Sequence, residues 1–401
     1  MNTDIAVNDG RPLPNAAGAH TPFPPVDKLP VQDGMPDPFL RLDGTRVKSR
    51  EEWPVHREYL KAMLAHYIYG TMPPRPKSRE VQQIHSVPAF DGAAVHERYA
   101  VTLERSGKTV RFHFEFFRPM EIRRMPVIIK NCRTLFEGDE DLAVRDREAA
   151  RQAVGRGYLL CKFLRNETAV DDRHDKCRSG VFSLYPEPEY DWGAIPVWAW
   201  TSSIVLDALD QLELADMQRT VVTGHSRGGK TALCAGIYDD RFTITAPNSS
   251  GGGGTGSLRY FEKGRREQRL DHHLKAIPHW WNGRLFQFLN NEDRMPFDAH
   301  TLKALIAPRA LVNTHAKDDY WANPYGTELT YRAADMVFGW LGSNGQQGLH
   351  WRESGGHAQG DEDWLALLDF ADWKFFGKEP ERSFSTLAYP AAELPVAWRV
   401  P

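Results

Sequence analysis

A serine between glycines, Ser226, has the sequence setting of a reactive nucleophile. Gly224 and Gly228 give it the spacing of a nucleophile elbow, in which a strained turn between a strand and a helix exposes the serine hydroxyl. An apolar run beginning at Val221 precedes the turn, and the helix-forming run Thr231–Gly236 follows it. The start of that helix would offer backbone N–H groups and the positive end of its dipole to an oxyanion. The segment therefore predicts a nucleophilic serine.

A serine hydroxyl needs a general base, and the base needs a carboxylate to orient it. His357 lies among the small residues of Ser354–Ala358, between a predicted strand and the last predicted helix. In α/β-hydrolases the chain order is Ser, then Asp or Glu, then His, so the acid should follow the strand near 310–315. Asp318 and Asp319 are both candidates there. We favour Asp319 as the acid and expect the other aspartate to cap the turn or to meet solvent.

Two cations beside the serine bear on the substrate. The backbone N–H of Arg227 could serve the oxyanion and its guanidinium could add a fixed charge, or the side chain could pair with a surface acid. Lys230 lies one helical turn from Ser226 and could bind a carboxylate or a sugar hydroxyl, or it could be solvated. Together they favour an oxygen-rich or anionic substrate. The run Ala246–Gly254 lacks the ending of a phosphate loop, so we interpret it as a loop that allows close approach at the cleft wall.

The elements that would position these residues begin at about residue 126. From there, strands and helices alternate, which predicts a mainly parallel sheet with helices on both faces. Before it, an amphipathic helix starts at Trp53, and alternation over 81–117 predicts antiparallel strands. Residues 1–40 are predicted to form an extended arm without regular structure, and 41–401 a single catalytic domain. Strands are predicted at 126–130, 158–163, 242–245, 310–313 and 348–352, and helices at 141–155, 198–212, 326–341 and 362–376.

Composition excludes several classes of partner. The 401 residues carry a net charge of −3 and no basic block typical of proteins that bind nucleic acid or anionic membranes. The four cysteines match no metal-ligand pattern, and no cofactor is expected. No stretch has the length of a membrane span, and residues 1–25 lack the basic start and apolar run of a secretory signal. We therefore expect a protein that stays inside the cell or a shortened chain.

Five spaced motifs together resemble the bacterial branch of the glucuronoyl esterases, carbohydrate esterase family 15. They are Gly224–Lys230, Asn248–Gly254, Ile277–Trp281, Ile306–Arg309 and Asp318–Pro324. The resemblance covers most of the chain from about residue 36. It implies an α/β-hydrolase fold, a three-layer αβα sandwich with a mostly parallel central sheet, acting without a metal. It also implies cleavage of the ester between 4-O-methyl-glucuronic acid of xylan and an alcohol of lignin.

The resemblance further implies roles for residues within these motifs and beyond them. These are Ser226 as nucleophile, His357 as base, Arg227 at the oxyanion, Lys230 on the uronate sugar, and Trp321 and Trp280 in the sugar-binding wall. Ser249 stands where many members have a glutamate, so the acid must come from elsewhere, and some bacterial members use an aspartate that aligns with Asp319. The segment Arg259–Leu270 is more basic and longer than usual. Within it, Glu267 could stand for the family's sugar-binding glutamate, about one residue out of register.

The leading hypothesis is a serine carboxyl-ester hydrolase acting on glucuronate esters of xylan or of lignin–carbohydrate complexes. A second hypothesis is an acetyl xylan or general short-acyl esterase, which needs the same triad and no anion pocket. A third is a catalytically silent carbohydrate-binding protein on a hydrolase scaffold, for which Ser249 is the best support. We expect a monomer, and the resemblance favours an extracytoplasmic location. The alcohol portion of the ester stays open.

Overall fold

Strands form one mixed sheet at the centre of the protein. The computed structural model describes residues 23–76, 79–121, 123–136 and 141–401. Within them the strands are β1 (Arg79–Ala89), β2 (Ala94–Arg105), β3 (Lys108–Pro119), β4 (Met125–Cys132), β5 (Leu159–Leu164), β6 (Ala215–His225), β7 (Ile244–Asn248), β8 (Ala310–Ala316) and β9 (Gln347–Arg352). Their order is β1-β2-β3-β5-β4-β6-β7-β8-β9. Pairs among β1, β2, β3 and β5 are antiparallel, and the pairs from β5 through β9 are parallel.

Helices cover both faces of the sheet. They are α1 (Trp53–Leu64), α2 (Asp141–Gly155), α3 (Arg165–Thr168), α4 (Ala194–Gln211), α5 (Arg227–Tyr238), α6 (Leu270–Ala276), α7 (Ala299–Ala304), α8 (Pro324–Trp340) and α9 (Asp361–Phe376). One core contains side chains of α1, α4, α5 and α8, and the core on the other face contains side chains of α2 and α9. In β4, Val127 and Ile129 face the first core and Ile128 the second, which explains its continuous apolar run. The predicted three-layer αβα fold is confirmed.

The predicted elements after residue 126 are present, with shifts of a few residues at their ends. The helix predicted at 326–341 begins at Pro324, because Asn323 caps it by accepting a hydrogen bond from the N–H of Gly326 at 2.7 Å. The strand predicted at 242–245 is β7, displaced toward the carboxyl end. Among described residues, no helix combines the length and the hydropathy needed to cross a bilayer.

The described part of the predicted arm is mostly irregular and packs against the rest of the protein. Residues 1–22 lie outside the described residues. Residues 23–40, expected to lack regular structure, contain a short 3-10 helix at Val26–Lys28 and a bridge from Met35 to Val396. Met35 and Phe39 are buried in the first core. The stretch packs against the core because burying its apolar side chains is favourable, whereas leaving them in water is not.

The sheet brings the candidate catalytic residues to one edge. Parallel strands place their carboxyl ends together, and ligands of open α/β sheets bind outside that edge. β6, β8 and β9 end within five residues of Ser226, Asp319 and His357 respectively. Three residues far apart in the chain therefore meet at one cleft.

Candidate active site

Ser226 occupies a strained corner between β6 and α5. Its backbone has φ 56° and ψ −116°, a conformation that residues other than glycine rarely adopt. The corner is tight, because a Cβ at Gly224 would lie 2.4 Å from the carbonyl oxygen of Gly228. The N–H of Ser226 donates to the carbonyl of Asn248 at 2.9 Å, which ties the corner to the end of β7. The predicted nucleophile elbow is present.

A hydrogen-bonded chain links the serine to a buried carboxylate. The His357 Nε2 atom lies 2.8 Å from Ser226 Oγ, and His357 Nδ1 lies 2.8 Å from Asp319 Oδ2. Because the Asp319 carboxylate accepts, Nδ1–H donates to it and Nε2 is left to accept the serine proton. Burial opposes ionisation of Asp319, but the hydrogen bond from His357 and the neighbouring His315 lower its pKa overall. The carboxylate is therefore charged at neutral pH and can stabilise an imidazolium.

The two adjacent aspartates have different partners. Asp318 accepts hydrogen bonds from the N–H groups of Gly355 and Gly356, at 3.1 and 2.9 Å. It therefore holds the loop that carries His357, while Asp319 contacts the imidazole itself. Ser249, at the position of the family's glutamate, is buried near Asp319 and contributes to lowering the pKa of that carboxyl. The geometry thus separates the two candidates left open above.

An acid that sequence reasoning missed, Asp171, holds Arg227, and its side chain is 8% exposed. The Arg227 Nη1 group pairs with Asp171 Oδ2, and its guanidinium carbon lies 4.9 Å from the centroid of the Trp280 ring. The Trp280 Nε1–H donates to the same carboxylate at 2.8 Å, and His279 Nε2 lies 3.1 Å from it. Burial opposes ionisation of Asp171, but these hydrogen bonds and the Arg227 charge keep its pKa well below the usual range. Asp171 therefore fixes both the cation and the tryptophan expected at the cleft.

The signal for Asp171 in the sequence is weak. It lies a few residues after β5, whose carboxyl end faces the same edge of the sheet as Ser226. Arg227 does pair with an acid, as one sequence alternative expected, and most of that acid's side chain is covered.

Lys230 is not a solvated lysine. Its side chain is buried, with residue exposure of 1%, and Nζ donates to the carbonyl of Ser250 and to Oε1 of Gln268, the latter at 2.9 Å. Burial first, and then the Arg227 charge, lower its pKa to about 7. The site thus offers a directed donor with reduced positive charge.

Glu267, the candidate for the family's sugar-binding glutamate, is buried and bonded to the backbone of its own loop. Its Oε1 accepts from the backbone N–H of Glu262 at 3.2 Å, and burial raises its pKa to about 7. The next residue, Gln268, is the one that reaches Lys230. The residue of this segment that contacts Lys230 is therefore a neutral amide, and Glu267 as a sugar-binding residue stays a prediction.

Trp321 is half-buried and lies next to Gln268, the residue that contacts Lys230. Its carbonyl accepts from the N–H of Gln268 at 3.1 Å, and its ring meets the His272 ring edge to face at 4.7 Å between centroids. Trp280, the other tryptophan predicted for the sugar-binding wall, has its ring centroid 5.9 Å from Lys230 Nζ and is buried, with 3% exposure. In the described part of the chain, no group of three His, Cys, Asp or Glu residues could hold a metal ion.

An elbow serine, a histidine and a buried aspartate at the carboxyl edge of this sheet define a serine hydrolase of the α/β-hydrolase fold. A sequence profile of the glucuronyl esterases of fungi matches residues 101–342. The chain belongs to the glucuronyl esterase family, whose members are carboxylic ester hydrolases.

Known proteins of this family align over most of the chain. The solved structure of a carbohydrate esterase family 15 glucuronoyl esterase from Caldicellulosiruptor kristjansonii is 30% identical with a TM-score of 0.78, covering 94% of this chain and 99% of that one. Carbohydrate esterase MZ0003, from an unknown prokaryotic organism, is 26% identical and covers 86% of this chain and 90% of its own length. A 4-O-methyl-glucuronoyl methylesterase of Schizophyllum commune is 26% identical, with 84% and 79% covered.

Proposed function

We propose that this protein hydrolyses esters of glucuronic acid, with Ser226 as the nucleophile, His357 as the base and Asp319 as the acid that orients it. The observation that carries the proposal is the hydrogen-bonded chain from Asp319 through His357 to Ser226, beside Arg227 and Lys230. The relatives support glucuronic acid as the sugar of the substrate, because one is a 4-O-methyl-glucuronoyl methylesterase and another is a glucuronoyl esterase.

The proposed reaction starts at the hydrogen bond between His357 and Ser226. His357 Nε2 takes the proton of Ser226 Oγ as Oγ attacks the ester carbonyl. The backbone N–H of Arg227, in the first turn of α5, has no intrahelical acceptor and stabilises the oxyanion together with the helix dipole. His357 then protonates the leaving alcohol. Water, deprotonated by His357, attacks the acyl-enzyme, releases the uronic acid and restores Ser226.

Charge balance in the cleft suits this reaction. The ester substrate is neutral at the reacting group, whereas the product is a uronate anion, so strongly cationic walls would retain the product. Asp171 balances Arg227, and burial lowers the pKa of Lys230 to about 7. The cleft then offers N–H donors for sugar hydroxyls with limited attraction for the released carboxylate.

We extend the proposal to the natural substrate and to the catalytic unit. The ester would join a glucuronate of xylan to an alcohol of lignin, as the family resemblance implies. The catalytic domain would span residues 41–401, with Met35 and Phe39 of the preceding arm packed into its first core.

The test is a substrate panel on the purified protein and two variants. We expect hydrolysis of benzyl and methyl glucuronate, and a loss of about 10⁶-fold in kcat for Ser226→Ala, because removing the nucleophile removes the covalent route. A folded Ser226→Ala variant that retains the parent rate would contradict the mechanism. A fluorophosphonate that fails to label Ser226 in the parent would favour the silent carbohydrate-binding protein.

Lys230→Met separates the glucuronate esterase from the acetyl xylan esterase. We expect KM for benzyl glucuronate to rise about fivefold, since one hydrogen bond contributes about 1 kcal/mol. Turnover of acetylated xylan, if any, should not change. Equal effects on both substrates, or a preference for acetylated xylan, would favour the short-acyl esterase. Thermal melting of each variant controls for loss of the fold.

A further inference from the structure

An exposed and strongly basic stretch adjoins the candidate active site, and the proposed chemistry does not use it. Four cations lie within seven residues, and all four are exposed: Lys263, Arg265, Arg266 and Arg269. The one acid between them, Glu267, is buried, and burial raises its pKa to about 7. These four cations, which we call the basic rim, thus form a concentrated positive patch on a protein whose formal net charge is −3.

Contacts place the basic rim at the edge of the cleft. The Arg265 guanidinium carbon lies 3.8 Å from the centroid of the Tyr320 ring, and Tyr320 directly follows the triad acid. On the same loop, Gln268 bonds the buried Nζ of Lys230 at 2.9 Å and donates its N–H to the carbonyl of Trp321 at 3.1 Å. The stretch that carries the rim is therefore anchored to the candidate sugar wall on one side and displays its cations to solvent on the other.

Neighbouring acids leave most of the rim charge available. Glu262 pairs with Arg265 at 3.5 Å. Asp271 pairs with Lys275, at 3.1 Å, and not with the rim. Arg269 packs its guanidinium over the Phe261 ring at 4.2 Å, an arrangement that leaves its charge in place.

The reacting group cannot be the ligand of these cations, because a uronate that enters as an ester carries no charge. Lysine and arginine bind carboxylates, arginine often through two parallel hydrogen bonds. The ligand of an exposed basic patch beside this cleft should therefore be another anionic group on the same substrate molecule.

We propose that the basic rim binds free uronate carboxylates on the polysaccharide that carries the ester, so that the preferred substrate is an acidic polysaccharide and not an isolated ester. The inference rests on the proposed function. Attraction between exposed charges extends over a Debye length of about 8 Å at physiological salt and weakens as salt rises. Association with an acidic polymer should then be fast and salt-sensitive, while binding of a neutral small ester should not.

The test compares two substrates and two double variants. Lys263→Gln/Arg266→Gln removes rim charge but keeps Arg265 on Tyr320. The matched control is Arg123→Gln/Lys378→Gln, which removes two exposed cations, each paired with an acid, that lie before β4 and after α9, at the opposite edge of the sheet. The substrates are benzyl glucuronate and a partly methyl-esterified glucuronoxylan that retains free carboxylates.

For the parent, we expect kcat/KM on the polymer to fall about tenfold between about 20 mM and about 500 mM salt. At low salt the rim variant should lose about three- to tenfold on the polymer and stay within about twofold on benzyl glucuronate. The control variant should match the parent on both substrates. The inference would be overturned if kcat/KM on the polymer changed neither with salt nor in the rim variant. It would also be overturned if the rim variant lost kcat/KM equally on both substrates.

Binding measured without turnover separates this inference from the proposed function. The Ser226→Ala variant should bind polyglucuronate at low salt and should not bind uronate-free xylan. Adding the rim substitutions to it should weaken the binding of polyglucuronate. Equal binding of duplex DNA and polyglucuronate would overturn the assignment to a polysaccharide. Failure of the parent to cleave benzyl glucuronate would instead refute the proposed function, whatever the binding result.

Discussion

Two adjacent aspartates with different partners allow a test of the triad in which one residue serves as the control for the other. Asp319→Asn replaces the carboxylate that accepts from His357 Nδ1 at 2.8 Å. The amide can turn its NH₂ toward His357, which then holds the tautomer with its proton on Nε2, facing Ser226. That tautomer cannot accept the serine proton. We expect kcat on benzyl glucuronate to fall about 10⁴-fold, or about 5 kcal/mol of transition-state stabilisation.

Asp318→Asn should cost far less. Its carboxylate accepts from the N–H groups of Gly355 and Gly356, and the amide oxygen of asparagine can keep one of these two hydrogen bonds. Loss of one hydrogen bond to a charged group on an exposed loop is worth about 1.5 kcal/mol, which corresponds to about tenfold or less in kcat. The two variants should therefore differ by about 10³-fold in kcat.

The assay measures kcat and KM of both variants on benzyl glucuronate, with thermal melting as the control for folding. That control matters for Asp319, which also accepts a hydrogen bond from the N–H of Ala322 at 3.3 Å. Asp319→Glu adds a second control, because it keeps the charge and should retain more activity than Asp319→Asn. The reasoning fails if Asp318→Asn loses more activity than Asp319→Asn, or if a folded Asp319→Asn variant stays within tenfold of the parent.

Two further predictions concern buried carboxyl groups. Asp171→Asn should lower kcat about 10- to 100-fold, because Arg227 and Trp280 lose the anion that holds both. The assay is kcat on benzyl glucuronate, with thermal melting as the control for folding. An unchanged kcat would refute the role of this acid. Glu267→Gln should stabilise the protein at about pH 8 by on the order of 1–2 kcal/mol and leave it unchanged at about pH 4, as urea unfolding at both pH values would show. Burial raises the pKa of Glu267 from 4.5 to about 7 in the folded protein, so its protonated form adds stability below pH 4.5. That stability is lost as pH rises through 7, because the buried group then ionises. Glutamine keeps the hydrogen bond from the N–H of Glu262 and never ionises, so the variant avoids this loss.

Local patterns predicted much of the fold and part of the site. The elbow around Ser226 is a matter of a few neighbouring residues, since Gly224 and Gly228 are needed wherever a serine occupies so tight a turn. The alternation of apolar runs with amphipathic helices predicted the parallel sheet, because each strand must bury both faces. The arm was harder, because its scattered apolar residues, such as Met35 and Phe39, have no period that reveals burial.

Sequence patterns alone predicted the class of the fold, a candidate nucleophile and a short set of candidates for the base and the acid. The contacts came from the tertiary structure: it places Asp319, and not Asp318, against His357, joins Asp171 to Arg227 across 56 residues, and sets Gln268 against Lys230. The physical reason is that helices and strands have periods that a chain displays locally, whereas loops do not. Which of two neighbouring loop side chains faces a cleft is decided by the distant elements that pack against it.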